Sequence, residues 1–238
     1  MPRVKVTLSA NAGIAIEING RRIWVDALHE DKQVNFSGLT PALQREMLRC
    51  EAFFRPDYIC FTHCHKDHYS RRLTAAAKAM WPEAKLCLPE PEFEDQILVT
   101  GEEYCQTDHD LTIRFVRLPH EGSEYRDVNH YGLFIRADGC NILISGDCAV
   151  AAPELVEAMG SLPVDLAILD FPWITLGKGR TCVTQTLRPS HILLYHLPFS
   201  EDDCCGYRTS ANRAAGLLSE QMDIRLLREP LQAEEINI

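Results

Sequence analysis

Four side chains able to hold a metal ion fall within six residues: His63, His65, Asp67 and His68, in the run Thr62-His63-Cys64-His65-Lys66-Asp67-His68. A brief apolar, aromatic-rich stretch, residues 58–61, precedes them and reads as a buried strand bounded by polar residues. Residues 70–80 follow as a helix, with Ala and Leu at good helical positions. A strand that opens through a polar loop into a helix places side chains at the carboxyl edge of a sheet, where open α/β folds bind their ligands. His63 and His65, two apart at the end of an extended segment, can aim at one point. Asp67 and His68 fall after the chain turns and can face a second point nearby. Imidazole nitrogen with carboxylate oxygen suits zinc, iron or manganese, and no thiolate is needed. One His in such a loop would read as solvated; four such residues at this spacing read as a metal site.

His63-x-His65-x-Asp67-His68 after a hydrophobic strand resembles the signature of the metallo-β-lactamase superfamily, whose members are mostly hydrolases. The resemblance implies an α/β fold, a four-layer αβ/βα sandwich with two mixed sheets packed face to face and helices outside. It covers most of the chain as a single domain, residues 1–238. It also implies two divalent metal ions, zinc first, with manganese or iron as alternatives. His63, His65 and His120 would hold one, Asp67, His68 and His196 the other, and Asp147 would bridge them. His120 is chosen because it stands on a loop after a strand, in Leu118-Pro119-His120-Glu121-Gly122. The Gly146-Asp147 dipeptide follows at the carboxyl end of an apolar strand, and His196 ends another. His130 competes with His120, from a place suited to supporting a ligand from behind or to facing the substrate. Asp26, ending an early hairpin, supports the metal loop in such folds without binding metal. His29 is expected to be a solvated loop residue, with lining the site as the alternative. Asp67 and Asp147 are the catalytic candidates, Asp67 also orienting a metal-activated hydroxide.

The elements that must position these residues are legible in outline. Residues 4–8, 13–18 and 22–26 read as strands, the last two joined by Asn19-Gly20, whose positive φ tolerance suits a tight hairpin. Residues 41–49 are a helix with Thr40 as N-cap and Pro41 at its first position. Residues 84–88 and 111–116 are strands, the second alternating apolar and polar. Residues 153–159 are a helix, 164–170 a strand, 171–174 an apolar loop and 177–187 helical. The strand 191–195 carries His191 at the end opposite His196, which gives His191 a structural role. The polar loop 200–207, with Cys204 and Cys205, is expected at the rim of the site. A helix over 208–221 and a final strand over 223–227 complete the chain.

Composition bounds the partners. With 238 residues and 46% hydrophobic content, the chain can build a large core. No run approaches the 18 apolar residues of a membrane span. The start, Met1-Pro2-Arg3-Val4, has no apolar stretch of a secretory signal, so a cytoplasmic location is expected. Ten cysteines scattered through strands and helices then read as reduced thiols. A formal net charge of -10, with no basic cluster beyond Arg21-Arg22 or Arg71-Arg72, argues against nucleic acid and membrane surfaces as partners. A small-molecule substrate, anionic ones included, is the partner expected. The reaction that the resemblance implies is hydrolysis of an ester, lactone or phosphoester. The alternatives are a mononuclear iron dioxygenase acting on persulfides, with the second site empty, and a metal-binding regulator without catalysis.

Overall fold

The computed structural model describes residues 2–33 and 35–238. Its first half runs β1 (Arg3–Leu8), β2 (Ile14–Ile18), β3 (Arg21–Val25), α1 (Pro41–Met47), β4 (Tyr58–Cys60), α2 (Arg71–Met80), β5 (Lys85–Leu88) and β6 (Ile97–Leu98). The second half runs β7 (Glu103–Asp108), β8 (Leu111–Arg117), β9 (Tyr131–Ala137), β10 (Cys140–Ile144), α3 (Pro153–Met159), β11 (Leu166–Asp170) and α4 (Pro172–Thr175). It continues with α5 (Gly177–Cys182), β12 (His191–Tyr195), α6 (Tyr207–Leu218), β13 (Asp223–Leu226) and β14 (Ala233–Asn237).

Two seven-stranded sheets result, ordered β14-β1-β2-β3-β4-β5-β6 and β13-β12-β11-β10-β9-β8-β7. Both are mixed: hairpins pair antiparallel, while β3 to β6 and β10 to β13 run parallel, joined by helical crossovers except for the loop between β5 and β6. Period-two alternation assigns side chains to layers. Along β10, Ile142 and Ile144 enter the core between the sheets, while Leu143 faces the outer cluster with Leu155 of α3. β11 repeats this with Leu166 and Ile168 inward, Ala167 and Leu169 outward, and β12 with Leu193 and Tyr195 inward, Ile192 and Leu194 outward. Such strands are apolar throughout because both faces are covered. At roughly 1.5–3 kcal/mol for each fully buried aliphatic side chain, this double burial holds the central strands and makes their carboxyl ends a rigid platform.

The first sheet is roofed in the same way. Trp24 of β3 packs edge-on against Trp81, just beyond α2, at 5.1 Å between ring centroids. Ser70 caps α2, accepting from Leu73 N at 3.2 Å, and Thr40 caps α1 from Leu43 N at 3.2 Å.

The fold departs from the sequence expectation at its polar edges. β14 closes the first sheet by pairing antiparallel with β1, so β13 is not the last strand. β6 and β7 also form strands that the apolar pattern does not mark. Residues 172–175 are a short helix, not a loop, started by Pro172 at its first position and burying Trp173 and Ile174. The loop at 200–206 does not line the central cavity. Asp202 instead accepts from Ser37 Oγ at 2.8 Å and pairs with Lys32, and Asp203 accepts from Tyr207 N at 2.8 Å to start α6. Cys204 and Cys205 are exposed, and all ten cysteines are free thiols.

Candidate metal centre

The carboxyl ends of β3, β4, β10, β11 and β12 converge on one edge of the sandwich and bring with them Asp26, residues 62–68, Asp147, Asp170 and His196. His120 arrives from the loop after β8. That loop is zipped to the Asp147 turn by an isolated antiparallel bridge, His120 to Cys148, with Glu121 N donating to Asp147 O at 2.8 Å. Gly146 makes the turn possible. Its φ is +54°, and a Cβ there would lie 2.6 Å from His130 Nε2 and 3.1 Å from Thr62 Cβ.

Asp147 lies at the centre with its two oxygens turned to different partners. Oδ2 is 3.6 Å from His120 Nε2 and 3.9 Å from His63 Nε2. Oδ1 is 3.2 Å from His68 Nε2 and 3.5 Å from His196 Nε2. His65 packs its ring against His63 and His120, at 4.6 and 4.8 Å between centroids. Asp67 Oδ2 lies 3.8 Å from His196 Nε2. Four ligand sets emerge, each with its atoms within 4.8 Å of one another: His63, His65, His120; His63, His68, Asp147; Asp67, His68, His196; and Asp147, Asp170, His196. Every residue singled out in the sequence as a metal ligand thus lies in one cluster.

Hydrogen bonds behind the rings orient them. Thr62 Oγ1 donates to Asp26 Oδ2 at 2.6 Å and so accepts from His63 Nδ1 at 2.9 Å. His68 Nδ1 donates to the same carboxylate oxygen at 3.0 Å, and His120 Nδ1 donates to Glu121 O at 2.7 Å. His63 and His120 therefore keep their proton on Nδ1 and turn the Nε2 lone pair inward, the tautomer suited to metal binding; His68, held through Nδ1 in the same way, directs its Nε2 inward as well. Asp26 is fully buried, at φ +52°, and also accepts from Thr62 N at 2.8 Å, which makes it the support beneath the metal loop.

The electrostatics match this geometry. Burial, then neighbouring His68, hold His63 well below the ordinary imidazole range. Burial, then His120, lower His65; burial likewise lowers His196. For His68 burial opposes charge, but Asp147 and Asp26 outweigh it and raise the ring well above the ordinary value. Burial would raise Asp147, yet His68 and His196 hold it well below the carboxylate range. His68 and Asp147 are thus a buried ion pair, and a divalent cation would replace the His68 proton. The donor set fits such a cation. His63 Nε2 and His120 Nε2 are buried without a hydrogen-bond partner, a cost that coordination removes.

His29 sits differently from expectation, His130 takes the supporting place that was one of its two expected roles, and Asp170 is a residue that the sequence reading does not pick out. His29 is fully buried rather than solvated; its Nε2 lies 2.9 Å from Ala10 O, and it is not among the residues lining the cavity. His130 is also fully buried, its Nδ1 3.2 Å from Leu118 O, and its ring stands 5.3 Å from His63 behind the ligand cluster. Asp170 was overlooked. Its Oδ1 is buried and unpartnered 3.9 Å from His196 Nδ1, and burial with neighbouring Asp147 raises it well above the carboxylate range. An acid ending an otherwise apolar strand that follows the Gly-Asp strand is the signal that marks it.

The cluster forms the floor of a cavity of about 520 Å³, walled by Phe36, Tyr125, Phe171 and Pro172. Among the described residues no helix is long and apolar enough to cross a membrane.

A family model described as a beta-lactamase superfamily domain matches residues 21–192. No curated protein matches the sequence. Among solved structures, Igni18, a metallo hydrolase from Ignicoccus hospitalis, is similar over 99% of this chain and 99% of its own, with 16% identity and a TM-score of 0.68. An isothiocyanate hydrolase from Delia radicum gut bacteria is similar over 97% of this chain and 98% of its own, with 16% identity and a TM-score of 0.68. CmlA, a diiron β-hydroxylase from Streptomyces venezuelae, shares 14% identity over 99% of this chain with a TM-score of 0.65, and 54% of its length is covered. At these identities the likeness is one of fold.

Proposed function

The chain belongs to the beta-lactamase superfamily, and from that premise we propose that it is a hydrolase with a dinuclear metal centre, acting on a small ester, lactone or phosphoester. His63, His65 and His120 would hold one ion, Asp67, His68 and His196 the second, and Asp147 would bridge them. The observation that carries this reading is the division of Asp147: Oδ2 faces His120 and His63 at 3.6 and 3.9 Å, Oδ1 faces His68 and His196 at 3.2 and 3.5 Å. A carboxylate with one metal would not need both oxygens presented to histidines.

When bound, two such ions supply a water acidified from about pKa 15.7 towards 7 and an electrophile for the substrate's carbonyl or phosphoryl oxygen. The protein's own part is preorganisation. The Nδ1 anchors on Thr62, Asp26 and Glu121 fix three rings, so no ring has to turn when substrate arrives. Asp67, at 3.8 Å from His196 and lining the cavity, can accept a proton from the attacking water and hold its oxygen towards the substrate. The superfamily includes oxygen-dependent diiron chemistry, as CmlA illustrates. A set of five histidines and two aspartates with a soluble nucleophile's approach open to the cavity favours hydrolysis.

Elemental analysis of the purified protein, beside a panel of lactones, aryl esters and phosphodiesters, tests the reading. About two zinc or manganese ions per chain with turnover is the expected result. One iron per chain with oxygen uptake on a persulfide would replace it with the dioxygenase.

A further inference from the structure

The substrate of that hydrolase can be narrowed, and we infer that the portion beyond its scissile bond is uncharged and apolar, packed against Phe36, Phe171 and Pro172. The inference rests on the hydrolytic reading of the same cavity.

The apolar wall begins at the metal ligands themselves. Phe36 stands edge-on to His196 at 4.6 Å between centroids. Tyr207 backs both phenyl rings, at 6.1 Å from Phe36 and 4.8 Å from Phe171, which limits their freedom to swing away. Across the cavity Tyr125 lies 5.0 Å from His65 and 4.8 Å from His120. A substrate reaching the cluster must therefore pass between aromatic surfaces and gives up water on both sides.

Charge points the same way. Beyond the ligand cluster the lining offers one carboxylate, Glu121, one carboxyl that burial and Asp147 keep in its neutral form, Asp170, and one cation, Lys66. Lys66 is 76% exposed and lies 3.9 Å from Asp31, so its charge is directed outward. No arginine is among the described residues that line the cavity, and Glu121 is already engaged with Val150 N at 2.7 Å. An anionic group at the reacting end would meet the metals. A second one further out would be desolvated among acids with no partner, whereas an alkyl or aryl group would gain by burial. The formal net charge of -10 adds to the disfavour for anions.

Hexanoate and adipate isolate the effect, because both present one carboxylate to the metals and differ only in a charge at the far end of six carbons. On zinc-loaded protein, calorimetry is expected to find hexanoate at least about tenfold tighter than adipate. Equal or tighter adipate binding, or binding of neither acid, overturns the inference. Phe36→Ala is expected to weaken hexanoate about fivefold and leave acetate unchanged; an unchanged hexanoate affinity would remove Phe36 from the wall. The esters p-nitrophenyl hexanoate and mono-p-nitrophenyl adipate then separate the two readings. Tight hexanoate binding without turnover of either ester, or of any lactone or phosphodiester in the panel, would sink the hydrolase and keep the selectivity. Turnover of both esters at equal kcat/KM would keep the hydrolase and sink the selectivity.

Discussion

The two triads that face Asp147 are anchored in different ways. His63 and His120 are held by their immediate neighbours, Thr62 Oγ1 and the Glu121 carbonyl, and His65 lies half-buried among rings. The other triad is held from far away in the chain. His68 leans on Asp26, 42 residues earlier, and His196 sits at φ +58° with its N–H on Asn11 O at 3.2 Å, which ties the second sheet to the first turn of the first. A non-glycine residue in that backbone region is strained and persists only because the surroundings hold it there. Both triads exist only when the two halves of the sandwich are assembled, because His120 and His196 come from the second half. The rings of the first triad are oriented by neighbouring residues, those of the second by contacts far along the chain. His68 and His196 bring their Nε2 atoms within 3.1 Å of each other, where the proton on the charged His68 ring can be shared with His196.

The largest expected effect treats what the triads share. Asp147→Ala should weaken both metals by about a hundredfold or more, since each loses a charged ligand and the buried cations lose their common counter-ion. Zinc titration followed by competition with a chelator reads both affinities. Loss of one ion with the other untouched would break the idea that Asp147 serves the two triads together.

A smaller effect sharpens the contrast. Asp26→Asn removes the charge directly behind His68 and only indirectly, through Thr62, behind His63. The second site should lose about ten- to a hundredfold in affinity, and the first less than tenfold. Cobalt substitution, in which the two sites are resolved by their spectra, separates them. Equal loss at both would mean that Asp26 is a general support with no preference between triads.

This contrast also explains what could be read from the sequence. Two ligands of each triad stand on one strand-loop-helix unit, and their spacing is visible in the letters His63 to His68; His120 and His196, which complete the triads, lie far along the chain. The helix at 153–159 and its flanking strands were equally legible, because their apolar period survives burial on both faces. Asp170 and His29 were not, since their roles depend on contacts far along the chain: Asp147 and His196 for one, Ala10 for the other. The edge strands failed for a different reason. β14 buries only Ile236 of its five residues and β7 buries none, so neither carries an apolar period; backbone pairing with β1 and β8 creates them. Residues 171–174 read as an apolar loop, whereas Pro172 at a first helical position starts a short helix, where its missing N–H costs nothing.

The smallest of these effects concerns His29, which lies on the side of the distant anchors. Its Nε2–H donates to Ala10 O, so its Nδ1, buried without a partner, is the atom that would take a proton. Burial accordingly lowers its pKa to about 4, against an unfolded value of 6.5. The folded protein favours the neutral ring, so stability is intact above pH 6.5 and falls as pH drops towards 4, where the unfolded chain binds the extra proton. Over pH 7 to 5 this one residue should cost the metal-free protein about 2 kcal/mol. His29→Gln keeps a donor for Ala10 O and cannot titrate. Urea unfolding of both proteins at pH 7 and pH 5 should show a smaller pH-dependent loss in the variant by about that amount. An identical loss in both would place the acid sensitivity in the ligand histidines, and the long-range anchoring of the second triad would then owe nothing to a neutral His29.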